Sequence, residues 1–411
     1  MKRILSKLYA RWMYRWETSL TTRDTNRIVR PVEWGFEWLQ EFAQSHGFAT
    51  HPPSDDAAAE QAMLQLNDFI LRHRNEFFAY QTPDDFVLEE RHPLLFPTNV
   101  RPRTLQQDAK VRRLADSGQL PKAQFLRFTS PLRTPYPEND RVNARWFPAP
   151  PEKQAGKPKQ AIIVMPQWNA DAFSHNALCS LFNRFGISAL RLSKPYHDIR
   201  RPAELARADY AVSANVGRTI SSCRQAVIDI RCCIDWLEQQ GYEQFGILGT
   251  SLGSCYAFLA AALDSRVRVG AFNHASMSVG DVVWTGQSTR HIRAAFESIS
   301  MTQQRLRDVW AAISPSYYMD QFAAHPKKVL LVHATYDLTF LREYSLQVIE
   351  NFRRRGIDFV SKVLPCGHYT TGETPYKFMD GWYIGSFIHG AFKHLATAPA
   401  LPTPEKELMA R

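Results

Sequence analysis

The chain has 411 residues, 45% hydrophobic and 22% charged, which is enough to bury a large core without disulfide staples. Its six cysteines form no CxxC pair, which excludes a zinc-ribbon or secreted disulfide framework and suggests a reducing, cytoplasmic setting. The net charge of +10 suggests contact with an acidic surface, but no helix-turn-helix, RRM or zinc-finger spacing accompanies it, so nucleic acid is not the expected partner.

The first elements read as helix. Arg3, Lys7, Arg11 and Arg15 recur every fourth residue, beside a stripe of Ile4, Leu8, Trp12 and Trp16 and a second of Leu5, Tyr9 and Met13. This is a basic amphipathic helix. Lys7 and Arg11 interrupt any signal-peptide core, and no stretch is apolar enough to span a bilayer. Residues 1–20 therefore either lie on an anionic membrane surface or dock on the protein's own body. A second helical period covers 60–74, after a Pro-marked loop at 51–56, and the basic, Pro-containing stretch 91–113 reads as an extended surface connector.

From about residue 124 strands and helices alternate. AQFLRFTSPL and DRVNARWF read as two strands, followed by a buried strand AIIVMP at 161–166. Then come a helix over 175–185, the strand GISALRL, a helix over 223–240, the strand QFGILG, a helix over 254–263 and the strand VRVGAF. The segment 273–326 is too long for a simple connection, carries a helical period at 289–313, and reads as a cap. KKVLLVHA and IDFVSKVLP are the last strands, separated by a helix, and a final helix covers 376–395. The pattern predicts an α/β fold: a mostly parallel sheet flanked by helices, with a helical cap insertion and a helical N-terminal extension. The expected division is an extension over 1–120, a catalytic domain over 121–396 with the cap at about 273–326, and a tail over 397–411.

In such sheets function collects at the carboxyl ends of strands. Ser251 follows QFGILG with Gly249 and Gly253 two residues to either side, the spacing of a nucleophile elbow. A serine hydroxyl needs a base, and His368 follows the last strand in CGHYTTG. A histidine base needs a carboxylate, and Asp337 follows KKVLLVHA in ATYDLTF, with Asp281 and Asp320 as alternatives. The oxyanion donors expected are the backbone N–H of Leu252 and that of Trp168, with Gln167 next in line. His197, in KPYHDIRRP, either contacts substrate or braces its loop. Met277, Val282, Val283 and Trp284 either line a substrate pocket or form the core of the cap. His333 reads as a core histidine. No HExxH or similar cluster occurs, so neither metal nor organic cofactor is expected.

Over about 124–395 the motifs GTSLG (249–253), YDLTF (336–340) and CGHYT (366–370), in the order Ser, Asp, His, resemble the α/β-hydrolase superfamily. After AIIVMP this chain has Pro166-Gln167-Trp168 where that superfamily often has His-Gly. The resemblance implies a serine hydrolase with an acyl-enzyme intermediate acting on a small-molecule or lipid ester. Acyl transfer, peptide cleavage and a non-catalytic scaffold at a membrane remain open on the same fold.

Overall fold

The structure is a computed structural model that describes residues 2–48, 51, 53 and 55–397. The expected tail thus lies outside the described residues except for position 397, and the 51–56 loop is described in part. The first three long helices are α1 (Lys2–Thr21), α2 (Asp56–Arg72) and α3 (Pro102–Asp116). Helix α3 corrects the expected connector at 91–113. Pro102 stands at the helix start, where no N–H is needed, so proline there opens a helix instead of preventing one.

Nine strands form one sheet: β1 (Val87–Arg91), β2 (Ala123–Thr129), β3 (Arg141–Phe147), β4 (Gln160–Met165), β5 (Ile187–Ser193), β6 (Gln244–Thr250), β7 (Val267–Asn273), β8 (Lys328–Ala334) and β9 (Phe359–Leu364). Their order is β1-β2-β3-β5-β4-β6-β7-β8-β9. β1, β2, β3 and β5 pair antiparallel, and β5, β4 and β6 to β9 pair parallel. β1 comes from the part of the chain expected to be mainly helical and irregular.

Strand alternation sends Ile163 and Met165 of β4 to one face and Ile162 and Val164 to the other. The first face is covered by α2, by α5 (Val216–Gln239) and by α6 (Leu252–Leu263). The second is covered by α4 (Asn176–Arg184), the final helix and Met13 of α1. Helix α5 begins seven residues earlier than its apolar period suggests, because Asn215 caps it by accepting the Arg218 N–H at 2.8 Å.

The segment expected to be a cap holds α7 (Val279–Thr285), α8 (Arg290–Ser298) and α9 (Gln303–Val309). One long helical period becomes two helices because the chain turns at Ser300, whose φ is 57°. Met277, Val282 and Val283 are buried in the core. Arg305 of α9 pairs with Glu60 of α2, and Asn67 of α2 accepts the Ala312 N–H at 3.0 Å. The last two helices are α10 (Arg342–Arg354) and α11 (Tyr376–Thr397). No helix among the described residues is long and apolar enough to cross a membrane.

Candidate active site

Ser251 sits between β6 and α6 with φ 56° and ψ −122°, a conformation that costs an L-residue energy unless its surroundings enforce it. Two glycines make room for it. A Cβ on Gly249 would lie 2.4 Å from the Gly253 carbonyl oxygen, and one on Gly253 would lie 2.2 Å from that of Met165. The Ser251 N–H donates to the Asn273 carbonyl at 2.8 Å, tying the turn to β7.

The strand-end rule brings the three expected side chains together. His368 Nε2 and Ser251 Oγ are 2.9 Å apart, and His368 Nδ1 is 3.0 Å from Asp337 Oδ2. Burial alone would raise the Asp337 pKa, but the charge of His368 and hydrogen bonds from two imidazoles hold it well below the usual carboxylate range. An ionised carboxylate only accepts, so both imidazoles donate through Nδ1 and His368 Nε2 is left to accept the Ser251 proton. Burial works against a charged His368, yet the charge and hydrogen bond of Asp337 outweigh it and raise the imidazole above its ordinary pKa.

The second imidazole is His274, a residue outside the sequence reading. It lies just after β7 with φ 56° and donates from Nδ1 to the same Asp337 oxygen at 2.9 Å. Its ring centroid is 4.4 Å from that of His368. Burial, with His368 nearby, holds it neutral. The other Asp337 oxygen accepts the Thr339 and Phe340 N–H groups at 2.8 and 2.7 Å. Ligand atoms of His274, Asp337 and His368 lie within 4.8 Å of one another, a spacing that suits a cation. The hydrogen bonds described instead commit both Nδ1 protons to Asp337.

The alternative acids lie elsewhere: Asp281 pairs with Arg307 at 2.7 Å and Asp320 with Arg355 at 2.9 Å. The Cys366 thiol is buried and 3.4 Å from Thr371 Oγ1. His333 is buried in β8.

The loop after β4 rests on the elbow, its Pro166 carbonyl oxygen 2.5 Å from where a Gly253 Cβ would be. Two residues of the loop after β5 hold it there. Lys194 Nζ donates to the Gln167 carbonyl at 2.9 Å, and His197 Nε2 accepts the Asn169 N–H at 3.1 Å. His197 Nδ1 is 2.8 Å from the Pro195 carbonyl, and burial holds the ring neutral. Both His197 nitrogens are therefore spent on backbone. These bonds fit the bracing alternative of the sequence reading.

Trp168 is half-buried. Its indole donates to the Ala208 carbonyl at 2.9 Å, and its ring stacks on His291 of α8 with centroids 6.1 Å apart. Trp284 meets the guanidinium of Arg293, 5.2 Å from its ring centroid.

A second residue outside the sequence reading is Glu17. Helix α1 docks through Met13, Glu17 and Thr21, all fully buried. The Glu17 carboxylate accepts the N–H groups of Tyr369 and Thr370 at 2.8 and 3.0 Å and the Thr370 hydroxyl at 3.0 Å. A Cβ on Gly367 would lie 2.4 Å from Glu17 Oε2. Gly367 thus makes room for a carboxylate. Thr21 hydrogen-bonds Gln287, and Arg27 donates to the Ser288 carbonyl at 2.7 Å, so the chain after α1 joins the His368 loop to the start of the 287–298 region.

No family model matches the chain. Over 73 residues it is 38% identical to an Escherichia coli protein described as "Uncharacterized 31.7 kDa protein in traX-finO intergenic region", a stretch covering 17% of this chain and 25% of that one. Among solved structures it resembles an acylaminoacyl peptidase of Pyrococcus horikoshii, with a TM-score of 0.52 and 12% identity over 79% of this chain and 50% of the peptidase. It also resembles acetyl xylan esterase 1 of Thermoanaerobacterium sp. JW/SL YS485, with a TM-score of 0.51 and 13% identity over 83% of this chain and 96% of the esterase. This chain thus spans half the length of that peptidase and a quarter of the Escherichia coli protein. With these likenesses and its mixed nine-stranded sheet, the chain has the α/β-hydrolase fold.

Proposed function

We propose that this protein is a serine hydrolase that cleaves a carboxylic ester or related acyl bond. The observation that carries the reading is the continuous hydrogen-bond chain from Ser251 Oγ through both nitrogens of His368 to Asp337. In this mechanism Ser251 Oγ attacks the carbonyl carbon while its proton passes to His368 Nε2, and Asp337 stabilises the imidazolium. The tetrahedral oxyanion rests on two backbone donors. One is the Leu252 N–H at the start of α6, and the other is the Trp168 N–H. The Gln167 carbonyl faces Lys194, so a trans peptide turns the Trp168 N–H to the opposite side, away from that lysine. Collapse expels the alcohol, which takes the proton from His368. Water, deprotonated by the same Nε2, then attacks acyl-Ser251 and frees the acid.

A lipid ester is the favoured substrate class, because the helix that carries Glu17 to the His368 loop also holds exposed Ile4, Leu8 and Trp12. A fluorophosphonate probe on the purified protein tests the nucleophile. The expected result is stoichiometric labelling of wild type and none of Ser251→Ala. Unlabelled wild type, or equal labelling of both, overturns the reading. A panel of short- and long-chain esters and peptide anilides then ranks the substrate classes by kcat/KM.

A further inference from the structure

We infer that the outward face of α1 is a docking surface for an anionic lipid bilayer. Helix α1 has two faces. The inward one holds Met13, Glu17 and Thr21 against the protein body, as described above. The outward one exposes Ile4 by 65%, Leu5 by 60%, Leu8 by 59% and Trp12 by 50%. On a helical projection these four form one band, bordered on one side by Lys7 and Arg11, with Arg15 at its C-terminal end. All three cations are exposed, and none makes an ion pair among the described residues. The helix's only carboxylate, Glu17, is buried on the other side.

The apolar surface continues onto α11. Trp16 and Tyr376 have ring centroids 6.2 Å apart, and the Tyr9 and Tyr376 hydroxyls are 2.7 Å apart. On the first turns of α11, Phe378 is 68% and Trp382 72% exposed; they stand four residues apart and so share a face.

An apolar band with a cationic border matches the layering of a bilayer interface, where acyl chains take the rings and anionic headgroups take the lysine and arginines. A second copy of this chain is a poorer occupant. A two-fold contact would set the same band and the same unpaired cations against themselves, and like charges facing each other disfavour association. The inference stands apart from the hydrolase reading, since its face lies on α1 and α11, and Ser251→Ala is expected to bind vesicles as wild type does.

The test is co-sedimentation of full-length protein with vesicles of phosphatidylcholine mixed with phosphatidylglycerol, and with vesicles of phosphatidylcholine alone. Wild type binds the mixed vesicles, and binding weakens with added salt. Lys7→Gln, Arg11→Gln and Arg15→Gln combined lower the partition coefficient by about 10²-fold, from the usual headgroup attraction per cation. Trp12→Ser with Trp382→Ser lowers it by about tenfold or more, and an unchanged melting temperature shows that both variants are folded. Wild type that stays in solution overturns the proposal. So do variants that bind as wild type does, and equal binding to both kinds of vesicle. Sedimentation velocity covers the other occupant: a wild-type dimer that the tryptophan variant converts to monomer assigns the face to self-association, which also overturns it.

Discussion

Ser251 and Glu17 both bond to the 366–370 loop region, one at His368 and one at the next two residues, yet they reach it by different routes. Ser251 arrives on a strand end. Its position follows from β6, two glycines and the parallel register with β7, which are local and periodic features. Glu17 arrives on a helix packed across the sheet face with α4 and α11, and its partners lie 352 and 353 residues away. The strand ends supply the proposed reacting atoms, while the N-terminal helix supplies an acceptor for backbone that would otherwise be buried unpaired. A site of this kind depends on its scaffold at two points of very different character, and each can be broken separately.

The largest effect is expected at the strand ends. Asp337→Asn removes the charge that fixes the His368 tautomer, and kcat falls by about 10⁴-fold in steady-state ester hydrolysis. The same change alters acid stability. The depressed Asp337 pKa contributes stability that is present above the unfolded carboxylate pKa and lost as pH falls through the folded one. In Asp337→Asn the melting temperature therefore varies less between pH 5 and pH 3, roughly the range where carboxylates titrate.

At the N-terminal helix, Glu17→Ala leaves the Tyr369 and Thr370 N–H groups without their acceptor and costs about 2–3 kcal/mol by denaturant unfolding. Glu17→Gln keeps the shape and removes the charge, which helps to raise the His368 pKa. Its acid limb in kcat/KM against pH moves to lower pH. A merely structural role leaves that limb in place.

Between these regions stands His197. As a brace, His197→Ala lowers kcat and costs about 1–3 kcal/mol in stability, because the Asn169 N–H and the Pro195 carbonyl lose their partner. A substrate contact would raise KM alone. The smallest effect is expected at Trp12→Ser in the absence of lipid, where melting and turnover of a soluble short-chain ester stay within about 0.5 kcal/mol of wild type.

Much of the sheet side was legible in the sequence. The positions of Ser251, Asp337 and His368 at strand ends followed from alternating strands and helices, and their meeting within hydrogen-bond distance followed from parallel order. His274 was legible by the same rule, since it directly follows β7, but it was absorbed into the long segment that begins there. Glu17 carried no local signal. An acidic residue near the end of a basic amphipathic helix reads as solvent-facing, and only the docked structure shows that it is buried. The two backbone partners of His197 are not encoded by composition. Helix α3 was hidden by Pro102 and the two prolines before it, Pro93 and Pro97, and β1 by a short, charged sequence at the sheet edge, where Glu90 is exposed.

The burial of Glu17 has a consequence for how the protein is made. Synthesis delivers α1 first and the loop that receives Glu17 about 350 residues later, which at ribosomal speed is a delay of tens of seconds. Throughout that interval the helix has neither its own partner loop nor α11 to cover Tyr9, Met13 and Trp16. Until that loop and α11 emerge, the chain around α1 thus shows more apolar surface than the finished protein does.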